Sequence, residues 1–326
     1  MFPFSREERI SVRILKSTAA VFTAAAAMVL GSGLGTAAAS QAQHATHSDA
    51  SPRAAVCEDA AVSGHTVRGA LSRNEVRREL SSLTARHRTQ RGLPAKGPLG
   101  EPGSRLRVDI HPAQGTAFKE ADGADGACAT QSVSTGLTVG NAATTIYTPT
   151  LYPPGGSCVE LVTVYTRSVR AVSAWDWCRS VSFEASVNID DAFVNTYTGG
   201  SGAYTGRVIR TDAGSNTWSA QLYNHSTGQW DELFSQSGTN QSGRNDGWDI
   251  DELYSTVGSD GQAYSCADRA GVTFESSNIS VRNNGTWSSA NASNADTHYD
   301  QPDDAFYCPS RDYQMVSAYD HWKAVG

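Results

Sequence analysis

Two short stretches concentrate the side chains that can do chemistry. In Trp175-Asp176-Trp177-Cys178 an extended backbone puts both indoles on one face and Asp176 on the other. Exposed, the two rings make a flat platform for a sugar; buried, they fill the core beside Cys178. Arg244 to Glu252 is the densest acidic run, with three carboxylates in the four positions 249–252. Asp246, Asp249 and Asp251, around Gly247, can hold Ca²⁺ together with backbone carbonyls. The carboxylates of 246–252 can also supply the acid and base of glycoside cleavage, which needs two carboxyls roughly 5 to 10 Å apart. A solvated acidic loop is the third reading.

All seven Trp and all twelve Tyr lie beyond residue 108, more than one sandwich core needs. Several rings are therefore expected at the surface. Trp175, Trp177, Trp230 and Trp248 are the candidate sugar-stacking rings, and Asp176, Asp249 and Asp251 the candidate acceptors for sugar hydroxyls. His298, near Asp300, Asp303 and Asp304, and His321 have no second histidine at zinc-ligand spacing. Gly-x-Ser-x-Gly, P-loop and dinucleotide signatures are absent. No organic cofactor is implied, and Ca²⁺ is the one ion the acidic run suits.

These residues need elements to hold them. Val181, Phe183, Ala185, Val187 and Ile189 alternate with polar residues, which predicts a half-buried strand with one wet face. Trp218, Ala220 and Leu222 alternate in the same way. Asp212–Asn216 and His225–Gly228 are predicted turns on either side of that strand. Asn283-Asn284-Gly285, between Val281 and Trp287, is a hairpin signal, because Asn-Gly accepts the φ > 0 positions of a type I′ turn. The expected fold is all-β, an antiparallel two-sheet sandwich of jelly-roll type over residues 105–326, preceded by one short N-terminal helix.

That helix is predicted over about 73–91. Ser72 and Glu75 fit a capping box, and Val76, Leu80 and Leu83 form a narrow apolar stripe. Three apolar residues cannot hold so short a helix in isolation, so it docks or frays. Residues 93–104, rich in Pro and Gly, read as a linker, and 40–104 as a basic lead-in.

Residues 1–39 have the grammar of a secretory signal peptide: four basic residues, an uncharged stretch from Ser17 to Leu34, and Ala37-Ala38-Ala39 before the cut. An extracellular location is expected, with no membrane span after cleavage. Cys57, Cys128, Cys158, Cys178, Cys266 and Cys308 all follow that point, and an even count in an oxidising compartment reads as disulfides. Of the 15 possible connectivities, the expected one is Cys57–Cys128, Cys158–Cys178 and Cys266–Cys308. The chain beyond residue 39 carries a net charge of −9, made of −1 at Asp49, +6 over residues 50–107 and −14 over 108–326. That acidic field repels phosphate backbones and argues against nucleic acid as a partner of the main domain. The opposite signs suggest that the basic segment docks on the acidic domain as a pro-segment or tether.

Several motifs resemble one group of secreted actinobacterial proteins commonly described as carbohydrate-binding. They are Val172 to Cys178, Tyr204 to Arg210, Asn216-Thr217-Trp218, Gly247 to Ser255 and Tyr319 to Lys323. The resemblance covers about residues 145–326. It implies a carbohydrate or polysaccharide partner and supplies no ligand residues. The rival expectations are a secreted glycoside hydrolase or lyase using the 246–252 carboxylates, and an envelope or structural interaction protein. Asp249-Ile250-Asp251-Glu252 lacks the glutamates of the Glu-x-Asp-x-x-Glu strand of sandwich β-glucanases.

Overall fold

The computed structural model describes Cys57 and residues 60–93, 107–297 and 302–326. The expected signal segment, His298 with Asp300, and nearly all of the expected linker lie outside these residues.

The first strands are β1 (Val62–Thr66), β2 (Ala113–Phe118), β3 (Ala124–Ser132), β4 (Thr145–Tyr152) and β5 (Val159–Tyr165). They are followed by β6 (Arg170–Asp176), β7 (Ser182–Asn188), β8 (Ala203–Asp212), β9 (Thr217–Asn224) and β10 (Gln229–Ser237). The last are β11 (Gly247–Tyr254), β12 (Thr273–Asn283), β13 (Thr286–Ser289), β14 (Ala295–Asp296), β15 (Asp312–Ser317) and β16 (His321–Val325). Two sheets result. Sheet I runs β1-β10-β9-β8-β3-β12-β16-β15, with β13 also paired to β12; sheet II runs β14-β2-β11-β4-β5-β6-β7. Among the described strands every pairing is antiparallel except β1 with β10.

The turns follow their local chemistry. Asn284 and Gly285 take φ of 47° and 82° in the two-residue loop between β12 and β13. Asn216 (φ 48°) and Gly228 (φ 69°) close the hairpins on either side of β9.

The sheets bury one core between them. Leu151, Leu161, Val172 and Leu253 of sheet II meet Val208, Trp218, Leu222 and Trp322 of sheet I. The opposite face of sheet II is buried too. It carries Tyr147, Tyr152, Val162, Val164, Trp175, Trp248, Ile250 and Tyr254, covered by Val76, Leu80 and Leu83 of the basic N-terminal segment. Strands buried on both faces explain why β4, β5 and β11 have no exposed residue.

β7 was expected to keep a wet face. Instead Glu184 and Ser186 are buried. Between Ala174 and Trp175 of β6 the partner on β7 steps from Ala185 to Phe183, so Glu184 is an extra, bulged residue. The bulge sends Phe183 to the outer face while Ala185 and Val187 stay in the inter-sheet core. The N-terminal segment lies across this edge, with Leu71 N–H donating to Ser186 O and Arg73 3.6 Å from Glu184.

That segment is helical, but as two pieces, α1 (Arg73–Glu79) and α2 (Ser81–Gln90), joined at buried Leu80. The capping box forms: Ser72 N–H donates to Glu75 and Ser72 Oγ accepts from Glu75 N–H. Cys57–Cys128, Cys158–Cys178 and Cys266–Cys308 are bonded, and no cysteine among the described residues is free. The first ties the chain ahead of α1 to β3. No described helix is long and apolar enough to cross a membrane.

Candidate functional site

The sequence places Trp175 on β6, Trp177 just beyond it, and Trp248 on β11. Strand alternation puts all three on the outer face of sheet II. Trp175 and Trp177 meet edge to face at 5.7 Å, and Trp248 lies 4.7 Å from Tyr152. Two glutamates sit among these rings. Glu160 interrupts the apolar strand β5, and its carboxylate accepts from Trp177 Nε1 (2.9 Å), Trp248 Nε1 (3.2 Å) and Thr150 Oγ1 (3.1 Å). Glu252, on β11, accepts from Tyr254 OH at 3.1 Å and meets His111 Nε2 at 2.5 Å. The His111 ring stacks on Tyr254 at 3.8 Å, and its side chain is 41% exposed.

The N-terminal segment closes over this face. Arg91, just past α2, puts Nη2 3.2 Å from Glu252 and 3.8 Å from Glu160. The two carboxylate oxygens reached from that one nitrogen are therefore at most about 7 Å apart. The Arg91 guanidinium is 5.8 Å from the Trp177 ring and 5.7 Å from that of Trp248. His87 inserts between Tyr147 (4.8 Å) and Trp175 (4.4 Å), edge to face with both. Arg88 donates to Val181 O at 2.6 Å and Arg86 to Thr145 Oγ1 at 3.0 Å.

The electrostatics separate the two glutamates. Burial pushes Glu160 above the ordinary carboxylate range, against the pull of Arg91. Burial acts the same way on Glu252, but there Arg91 and His111 outweigh it and hold the group at about 2. Burial, reinforced by Arg91, keeps His87 neutral far below its ordinary pKa. The contact is imperfectly matched. Both ring nitrogens of His87, the Trp175 Nε1, the Tyr147 hydroxyl and the side-chain amide of Gln90 are buried without a hydrogen-bond partner. Each such group costs on the order of 1–3 kcal/mol.

The other expected site residues lie elsewhere. Trp175, Trp177, Trp230 and Trp248 are at most 4% exposed, so none is the open platform expected from aromatic content; two-sided burial of sheet II absorbs Trp175, Trp177 and Trp248. Trp230 packs against the Cys57–Cys128 disulfide, with the Arg207 guanidinium 4.1 Å from its ring. Asp176 caps the turn after β6, accepting from the N–H groups of Cys178, Arg179 and Ser180. The run expected as a loop is strand β11, and its acids alternate across the sheet. Asp249 points into the inter-sheet core, accepting from Trp322 Nε1 and Gln131 Nε2, and burial raises it to about 6. Asp251 is clamped by Arg269 and Arg311, which overcome its burial and hold it at about 2. Asp246 is at the surface beside Arg244. Asp246, Asp249 and Asp251 are thus not gathered for Ca²⁺, and no cluster of metal-ligating side chains occurs among the described residues. His321 pairs with Glu275 at 2.6 Å.

Sequence reasoning missed Glu160, Arg91, His87 and His111. A lone glutamate inside Val159-Glu160-Leu161-Val162 was a signal, since an unpaired carboxylate is rarely buried. Arg91 and His87 look like ordinary surface residues of a basic helix.

Fold and site together define a disulfide-stapled two-sheet β-sandwich whose outer sheet face, aromatic and diacidic, is covered by its own N-terminal segment. No family model and no curated protein sequence matches the chain. Among solved structures it is similar to a Scytalido-glutamic peptidase bound to a peptide-based transition state analog, at 16% identity and a TM-score of 0.39. It is also similar to SCP-B, a member of the Eqolisin family of peptidases, bound to the tripeptide Ala-Ile-His, at 17% identity and a TM-score of 0.38. Each alignment covers 67% of this chain and 99% of the other. At that similarity no residue role transfers.

Proposed function

We propose that this is an exported saccharide-binding protein whose ligand face is the outer face of sheet II, held closed by α1 and α2. The observation that carries the reading is the composition of the contact. A core layer would present an apolar helix, whereas α2 buries Thr84, His87 and Arg88 alongside Leu83. Aromatic rings with a few placed polar groups, met by Arg and His, have the composition of a recognition surface. Trp177 and Trp248 offer stacking rings, and Glu160 and Glu252 offer acceptors for hydroxyls. Three disulfides and the expected signal segment support export.

A second reading has its own support. Glu160 and Glu252 share one Arg91 nitrogen and are shifted in opposite directions, which favours a hydrolase with Glu160 as acid. One experiment addresses both. The full-length chain and its Leu83→Asp variant, in which the helices are open, are applied to a glycan array and assayed for reducing-sugar release. Binding by the open variant without release supports the binding protein. Release that disappears in Glu160→Gln supports the hydrolase. No binding and no release by the open variant removes both.

A further inference from the structure

Arg91 occupies a seat that the sheet builds without it. Glu160 is fixed by Trp177, Trp248 and Thr150, and Glu252 by Tyr254 and His111, all from outside the helices. The guanidinium completes the site with two carboxylates and two indole rings, and the Arg91 side chain stays only 17% exposed. Indole rings and carboxylates together favour a cation and give a neutral group no comparable gain. A neutral ligand that displaced Arg91 would remove the cation that the two carboxylates share, leaving Glu252 its contact with His111 and Glu160 its neutral donors, which is unfavourable. A ligand that brings its own cation replaces what it removes. The −14 charge of residues 108–326 also draws cationic polymers toward the domain from a distance.

We infer that the ligand carries a cationic group that takes the seat of Arg91, and that its class is a saccharide of amino sugars with free amines. This rests on the saccharide reading above. The ammonium sits between Glu160 and Glu252, and the pyranose ring stacks on Trp177 or Trp248. The segment 73–91 is then an internal competitor whose arginine imitates the ligand's charge.

The test is calorimetry at pH 6 on the full-length chain and its Arg91→Ala variant. The titrants are a glucosamine oligomer, the N-acetylglucosamine oligomer of equal length, and a peptide of residues 81–93. The two oligomers differ in the charge at the nitrogen, so the comparison holds without any change to the seat. The expected result is binding of the glucosamine oligomer at least ~10-fold tighter than its acetylated partner, a difference of about 1.4 kcal/mol. Arg91→Ala strengthens binding by removing the competitor. Glu252→Gln, and independently Glu160→Gln, shrink the preference for the free amine in protein whose melting confirms folding. Equal affinity for the two oligomers overturns the cation seat while leaving the saccharide reading standing. Binding of the peptide alone overturns both. Binding of none of the three by Arg91→Ala, with its 73–91 segment shown open by proteolysis, overturns the seat as a ligand site.

Discussion

Arg91 and Glu252, 161 positions apart in the chain, meet at 3.2 Å beneath the helices, and this pair fastens the basic segment to the outer face of sheet II. Val76, Leu80 and Leu83 supply the apolar part of the contact. Each is worth on the order of 1.5–3 kcal/mol when fully buried. Leu83→Asp is therefore expected to open the segment and speed tryptic cleavage at Arg86, Arg88 and Arg91 by more than ~10-fold. Arg91→Ala should open it by less. Because the pair is largely buried, raising the salt concentration should change cleavage of the wild-type chain only slightly. Cleavage of Leu83→Asp at the wild-type rate would show that the segment is not held by this face.

Docking should weaken in acid. His87 titrates near 6.5 when undocked and far lower when docked, so its contribution is complete above about pH 6.5 and declines as the pH falls below it. The part of the lowering of Glu252 that comes from Arg91 adds the same trend further down in pH. Glu160, raised when docked, works in the opposite sense. The groups facing His87 are the rings of Tyr147, Trp175, Phe183 and Tyr254, with Arg91, Glu252 and His111 acting through charge. Between pH 7 and 5 His87 should dominate. The hydrogen-exchange protection of residues 73–91, corrected for the slower intrinsic exchange at lower pH, is expected to fall over that interval, and His87→Leu to flatten the response. An unchanged slope in His87→Leu would assign the effect to another group.

Asp251 separates structure from ligand binding. Its carboxylate takes two hydrogen bonds from Arg269, one from Arg311 and one from Thr148 between the sheets. Asp251→Ala leaves the buried Arg269 guanidinium without its anion and Arg311 with Asp303 alone, and is expected to cost about 3–5 kcal/mol. A thermal melt measures this. A melting point within a degree or two of wild type would show the network to be dispensable.

The three bridges predict that unreduced protein in denaturant has no reactive thiol. Two or more reactive thiols would contradict the framework. Disulfides of this kind typically contribute about 2–4 kcal/mol each, so a reductant should lower the melting point markedly.

Much of the fold was legible because its signals are local. The period-2 strands around Phe183 and Trp218, the Asn284-Gly285 turn and the Ser72–Glu75 capping box each depend on residues within a few positions. The site was only half legible. Trp175, Trp177 and Trp248 do share a face, but their burial depends on a helix more than 80 residues earlier in the chain. Strand β11 was misread because Asp249 and Asp251 look solvated until Trp322, Arg269 and Arg311 are brought to them from distant segments. The break at Leu80 has no proline or glycine to announce it.

On the proposed reading, ligand and helices compete for one face. Hydrogen exchange of the full-length wild-type chain, with and without a saturating amino-sugar oligomer, tests it most directly. The expected result is that the ligand raises exchange across α1 and α2 while β5 and β11 stay protected. Binding that leaves α1 and α2 as protected as before, or that protects a surface away from Glu160 and Glu252, would contradict it.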